Sequence, residues 1–195
     1  MQVDFLRRNL YQQVHLVISF VITFCGLCLI VGEDVIFFIL GNKYRASKEF
    51  YAFLLASPVC YTIGETMGIG INVERKTYLN IYITGIALLC NLGMCLILVP
   101  KYGNTGAAVS VMVSSALMVV EKSIIGEKYY QVITSKIRSY STMIIYLLSS
   151  TCSYLFIQSN LLRILSMLFF MAILIILNIK SIRRSINLII KSHKK

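Results

Sequence analysis

The hydrophobic residues of this chain fall into long runs separated by short polar segments. Two runs are adjacent, residues 78–99 and residues 103–120, with Pro100-Lys101-Tyr102 between them. Each run is long enough to cross a bilayer as a helix that rises ~1.5 Å per residue. Because the turn contains proline and glycine, the pattern predicts a helical hairpin in a membrane. The start of the second helix is expected to pack closely against a neighbour through small residues, namely Gly103, Gly106, Ala107 and Ala108.

The same pattern repeats along the rest of the chain and predicts an all-α, polytopic bundle of about six transmembrane helices. The expected spans are residues 14–31, 50–71, 78–99, 103–120, 140–158 and 161–179. Hydrophobic residues make up 57% of the chain and charged residues 14%, which is more apolar than a soluble domain requires. We interpret residues 1–120 as a four-span portion. Residues 121–195 are interpreted as an interfacial linker, two further spans and a basic tail.

The net charge of +11 is read as a membrane topology signal. Lys and Arg collect in the cytoplasmic loops of membrane proteins. Placing both termini in the cytoplasm puts most basic residues on that side, including Arg7, Arg8, Lys122 and the tail. No nucleic acid is expected as a partner, because the charge is not accompanied by a motif that reads bases.

Two segments between or after the spans mix apolar and basic residues. They are residues 127–139 and the tail after Lys180. This mixture is typical of helices that lie on an anionic membrane surface, so membrane lipids are expected partners. The alternative for each segment is an ordinary basic loop.

Glu65 lies inside the second predicted span, where a carboxylate costs a few kcal/mol. One interpretation makes it part of a substrate or ion pathway. The other places it near the cytoplasmic end, where it reaches lipid headgroups or pairs with Arg75. Gly64 and Gly68 have the spacing that lets two helices approach closely, although with Pro58 they also suit a bending helix.

Two other polar residues fall within predicted spans. Asn91 lies near the middle of the third span, and an interhelical hydrogen bond is its expected role, with substrate contact as the alternative. Arg163 lies early in the sixth span, and we expect it to extend outward to the membrane surface.

The chain has none of the residue groups that enzymes use for catalysis. Cys25 and Cys28 have the spacing of a metal or redox pair, but no second pair accompanies them, so cysteines are expected to act as small apolar residues.

His15 and His193 are too far apart to form a site. No metal and no cofactor is expected, and an enzyme of polysaccharide assembly is disfavoured because no long external loop is present.

The order of these segments resembles a known family. A run ends in Phe37-Phe38-Ile39-Leu40-Gly41-Asn42-Lys43-Tyr44, and a short basic loop, Glu74-Arg75-Lys76, follows the next run. The span with Asn91 ends in Pro100 and is followed by Lys101-Tyr102-Gly103-Asn104-Thr105-Gly106-Ala107-Ala108. Over about residues 13–120 this resembles the C-terminal half of polysaccharide flippases, such as O-antigen and capsule-repeat transporters. They belong to the multidrug/oligosaccharidyl-lipid/polysaccharide exporter superfamily.

The resemblance implies a function at the bacterial cytoplasmic membrane. Such proteins move oligosaccharides linked to undecaprenyl pyrophosphate from one leaflet to the other, between two lobes that alternate access. Flippases have twelve to fourteen spans, so the resemblance implies that an N-terminal lobe is a missing partner. The expected pathway residues of this chain are Glu65, Arg75, Lys76 and Asn91. Alternatives are a drug/cation antiporter, a peptidoglycan-precursor flippase or a non-transporting membrane scaffold.

Overall fold

All regular elements of the protein are helices in the computed structural model, which describes residues 2–129 and 136–192. The all-α class predicted from the sequence is therefore confirmed. In chain order the elements are α1 (Gln2–Val31), α2 (Glu33–Leu40), a 3-10 helix (Asn42–Phe50), α3 (Tyr51–Met67), α4 (Ile69–Val73), α5 (Tyr78–Tyr129), α6 (Lys136–Leu155) and α7 (Asn160–Ser192).

Within the described residues, three helices are long and apolar enough to cross a membrane. They are α1 over Leu10–Val31, α5, and α7 over Asn160–Ile179. The helix α3 has only 17 residues because the backbone breaks at Gly68 before it continues as α4. The number of six spans therefore stays a prediction.

The helix α5 reverses direction at Gly103. This residue has φ 56° and ψ −133°, a combination open to glycine because it has no Cβ. In a continuous helix, residues 98 and 106 would be ~12 Å apart. Instead, a Cβ built on Gly106 would lie 2.5 Å from the carbonyl oxygen of Leu98. The predicted hairpin is present, and we call residues 78–102 its first arm and residues 104–129 its second arm.

The helices run back and forth between two ends of one bundle. The turn end holds Gly103 and the α1–α2 and α6–α7 connections, and the opposite end holds the loop of residues 74–77. His15 contacts Thr66 while Gly26 lies against Val59, so α1 and α3 are antiparallel. By the same reasoning α3 and the second arm run in the same direction, because Gly64 approaches Val119 and Met67 approaches Gly126.

The core lies between α1, α3, the second arm, α6 and α7. It contains Leu27, Ile63, Met67, Tyr146 and Leu174, each fully buried. The first arm lies at the periphery, where Ile83 packs against Met118 and Ile71 in a small separate cluster. Its other large apolar side chains are mostly exposed, among them Ile81, Tyr82, Leu89, Leu96 and Ile97.

The two segments expected on the membrane surface are described in part. Residues 127–129 end α5 and residues 136–139 begin α6, while residues 130–135 lie outside the described residues. The tail after Lys180 continues α7 as a helix as far as Ser192.

Candidate functional site

Glu65 forms an ion pair with Lys122 on the second arm, and not with Arg75 as one interpretation of the sequence had it. The side chain of Lys122 is 4% exposed and that of Glu65 is 41% exposed. The ammonium group also lies 5.2 Å from the centroid of the exposed Tyr61 ring, within the range of a cation–π contact. The pair therefore has a buried cation and a carboxylate that reaches the surface of the bundle.

Two glycines of α3 make room for this lysine. Cβ atoms built on Gly64 and Gly68 would lie 3.4 Å and 3.5 Å from Cδ of Lys122, so its aliphatic part rests on both glycines. One turn further along the second arm, a Cβ on Gly126 would lie 2.5 Å from the carbonyl oxygen of Met67. The two helices approach each other closely there, as small residues permit.

The other expected pathway residues have separate surroundings. Asn91 is half-buried on the first arm, where its Oδ1 accepts a hydrogen bond of 3.2 Å from Cys95 of the same helix. Arg75 is exposed in the turn after α4 and has φ 55°. Lys76 places its ammonium group 4.1 Å from the ring centroid of Tyr129, at the open end of the hairpin. These contacts do not gather Asn91, Arg75 and Lys76 around Glu65.

The small residues after the turn have different roles. A side chain on Gly103 would meet nothing within 4 Å, so this glycine serves the reversal of the chain. Gly106 and Ala108 are buried, and Ala107 is half-buried. Gly106 lets the two arms approach each other next to the turn, since backbone atoms of Leu98 occupy the space of a side chain.

A second group of charges lies at the turn end. Arg163 is 1% exposed and donates hydrogen bonds to Glu33 and, over 3.0 Å, to Asp34. Lys48 of the 3-10 helix donates to Asp34 over 2.5 Å and lies 3.7 Å from Glu33. The hydrogen bond from Lys48 holds the pKa of Asp34 below its usual range. The expectation that Arg163 extends outward is wrong, because two carboxylates hold it inside.

A cavity of about 210 Å³ also lies at the turn end. Aromatic rings form much of its wall, and the rings of Phe53 and Tyr154 are 5.3 Å apart between centroids. The lining is almost entirely apolar. The lining residues are Phe53, Leu98, Tyr102, Thr105, Gly106, Val109 and Tyr154.

His15 is fully buried and is hydrogen-bonded to Thr66 of α3 and to Ser139 of α6. The sequence pattern suggested no role for it, because it has no second histidine nearby in the chain.

The cysteines are free thiols. Cys25 and Cys28 are exposed on α1. Within the described residues, His, Cys, Asp and Glu side chains form no group of three or more that could hold a metal ion.

Sequence reasoning missed Lys122, Glu33, His15 and Gly126. Lys122 had been assigned to a cytoplasmic loop, although it directly continues the apolar run that ends at Val120. The signal for its burial was this continuation of the apolar run. No comparable signal joins Glu33 to Arg163, because their pairing depends on how α7 packs.

Comparison with models of known protein families, with curated proteins and with solved structures finds no match for this chain.

Proposed function

We propose that this protein takes part in moving lipid-linked oligosaccharides across the bacterial cytoplasmic membrane. The substrate class is a polysaccharide repeat unit carried on undecaprenyl pyrophosphate, and the protein acts without chemistry on it. The resemblance over residues 13–120 supports this proposal. So does Glu65, whose side chain stays 41% exposed within α3 although it is paired with Lys122, and this is the observation that carries the proposal.

The position of Glu65 has a physical consequence in a membrane. A charged group that faces lipid costs several kcal/mol, so such groups face a bundle interior or a water-filled cavity. Lys122 neutralises the charge, but 41% of the Glu65 side chain stays exposed. We propose that this face of α3 borders a polar pathway that a second lobe completes. Gly64 and Gly68 beside the pair would let the helices shift against each other.

The proposal includes six membrane crossings. These are α1, the α3–α4 segment, the two arms of α5, α6 and α7, which alternate in direction. Each arm of α5 has more than the ~20 residues that a crossing requires. The aromatic cavity then lies at the outer face, where its apolar lining suits the hydrocarbon chain of such a substrate.

A non-transporting membrane scaffold is the second candidate. One observation favours it: Lys122, Arg163 and Glu33 are each paired within the bundle, so these buried charges have a structural explanation. A scaffold would use Glu65 only to hold α3 against α5. The two candidates therefore differ in what a neutral residue at position 65 would do.

Cysteine labelling tests the six crossings. In a variant without native cysteines, single cysteines at positions 74 and 193 are expected to react with an impermeant reagent from the cytoplasmic side only. A cysteine at position 102 is expected to react from the outside. Reaction of position 102 from the cytoplasmic side would contradict both the orientation and the placement of the hairpin.

Deletion of the coding sequence in the source bacterium tests the function. We expect loss of a surface polysaccharide and accumulation of its lipid-linked precursor, because the repeat unit would stay in the inner leaflet. Unchanged polysaccharide and precursor levels would show that the proposal is wrong.

Complementation then separates transporter from scaffold. Glu65→Gln is expected to restore membrane abundance, because the amide oxygen can still accept the hydrogen bond of Lys122. It is expected to restore only a minor part of the polysaccharide, because the pathway loses its negative charge. The matched control is Glu74→Gln, in the exposed loop after α4, which should restore both. Full restoration by Glu65→Gln would favour the scaffold.

A further inference from the structure

The cavity at the turn end lies between three helices and opens at the surface of the bundle. Phe53 of α3 forms its floor and is 3% exposed. Tyr102 of the first arm and Tyr154 of α6 lie at its edge, where they are 64% and 39% exposed. Because both edge residues reach the surface, the cavity is accessible from the side of the bundle.

The opening separates α6 from the second arm of α5. Towards the opposite end these two helices are joined, because Tyr140 donates a hydrogen bond of 2.8 Å to Ser123. At the turn end, Val109 of the second arm and Tyr154 of α6 instead lie on the wall of the cavity. The two helices therefore border a crevice that leads sideways out of the bundle.

The crevice lies close to the turn of the hairpin. Val109 follows Gly103 by six residues, which corresponds to ~9 Å along a helix axis. The six proposed crossings, on which this inference rests, place the turn at one face of the membrane. The cavity then lies in the outer part of the ~30 Å hydrocarbon layer, beside the lipid chains and just below their headgroups.

The wall of the cavity favours hydrocarbon over water. The lining is almost entirely apolar and encloses a volume of about 210 Å³. A bound water molecule requires several polar partners, which such a lining does not provide. A lipid chain instead makes dispersion contacts with the aromatic rings and with Leu98.

The surface around the opening has an excess of positive charge. Lys43, Arg45 and Lys101 are exposed at the turn end, and Lys101 directly precedes an edge residue of the cavity. Among the described residues of this end, Glu49 is the one carboxylate outside the ion-pair cluster of Arg163. Three cations beside one carboxylate attract an anionic lipid headgroup.

We propose that an acyl chain of an anionic phospholipid occupies this cavity when the protein rests in the membrane. The chain enters sideways between α6 and the second arm, and the phosphate stays at the membrane surface near Lys101. Phospholipids are the bulk component around the protein, so mass action fills the cavity with them before any scarcer lipid. The chain of a lipid-linked substrate must then displace this phospholipid. The site is independent of whether the protein is a transporter or a scaffold.

Photo-crosslinking of the full chain in phosphatidylcholine nanodiscs tests the site. The nanodiscs contain a small fraction of phosphatidylglycerol with a diazirine on its acyl chain. We expect crosslinks at Phe53, Val109 and Tyr154 to exceed those at the outward-facing Leu89 and Phe169 several-fold. Phosphatidylcholine with the same diazirine should label the cavity about fivefold less, the effect of one basic residue on an anionic lipid.

Two pairs of variants supply matched controls. Val109→Phe places a ring in the cavity and should reduce its labelling several-fold. Val113→Phe adds the same ring one turn further along, where Val113 is 37% exposed and outside the lining, and should leave the labelling unchanged. Lys101→Gln should reduce labelling by phosphatidylglycerol but not by phosphatidylcholine, whereas Lys128→Gln, at the opposite end of the same hairpin, should affect neither.

Three outcomes would overturn the proposal. The first is an even spread of crosslinks over the exposed apolar residues, a result that needs no variant and holds even if Val109→Phe does not fold. The second is equal labelling of the cavity by both phospholipids. The third is labelling of the cavity by a diazirine-tagged polyprenyl phosphate but not by phosphatidylglycerol. A failure of the proposed crossings would appear separately, as reaction of a cysteine at position 102 from the cytoplasmic side.

Discussion

Replacement of Arg163 by methionine is expected to lower the free energy of unfolding by about 3–5 kcal/mol, the largest effect of any single change considered for this protein. The guanidinium group is buried and neutralises Glu33, whose side chain is 2% exposed. Methionine has a similar length but no charge, so the carboxylate would stay buried, and its remaining cation among the described residues would be Lys48, 3.7 Å away. Unfolding by SDS, followed by circular dichroism, measures the difference.

Two further variants separate charge from packing. Lys48→Met removes a cation of the same cluster whose side chain is 25% exposed, and it should cost only about 0–1 kcal/mol. The double variant Arg163→Met with Glu33→Leu should recover most of the loss, because no charge is left unpaired. A cost for Arg163→Met no greater than that for Lys48→Met would contradict the buried pairing.

Replacement of Gly126 by alanine is expected to destabilise the protein by about 1–3 kcal/mol. The added Cβ would lie 2.5 Å from the carbonyl oxygen of Met67 and 3.3 Å from Cα of Gly68. Both are backbone atoms, so a rotamer change cannot relieve the contact and the two helices must separate. That separation would also disturb the Glu65–Lys122 pair one turn away.

The same helix supplies the control for Gly126. A Cβ on Gly85 or Gly93, in the first arm, would meet nothing within 4 Å. Alanine there should leave stability unchanged or raise it by up to about 1 kcal/mol, since alanine favours a helix more than glycine does. Thermal unfolding of the three variants in one detergent compares their stabilities. Equal stability of Gly126→Ala and Gly85→Ala would contradict the close helix contact.

The hairpin was predictable because its signal is local. Proline and glycine lie between two apolar runs, and the backbone dihedral angles that reverse the chain are those of Gly103. Apolar runs also predicted the helical class, because a membrane requires every backbone polar group to be paired within its own helix. The hairpin turn and the helical class depend on residues that are close together in the chain, so the sequence is sufficient to predict them.

The partners of the charged residues were not predictable in the same way. Arg75 was the nearest cation to Glu65 along the chain after the second span, yet Lys122 is the partner, 57 residues away. Arg163 joins Glu33 across 130 residues. Interaction with these partners requires that α3 pack on the second arm and α7 on α1, and no periodicity in the sequence encodes that choice.

By itself, the sequence determined that the chain forms long apolar helices, where the hairpin turns, and that Gly64 and Gly68 favour close helix contact. Each depends on residue size, polarity or backbone freedom over a few positions. Only the tertiary structure decided that Lys122 occupies the groove above these glycines, that Arg163 is buried, and that His15 joins three helices. These contacts arise from the relative rotation and height of packed helices, which follow from the summed fit of many side chains rather than from any one segment.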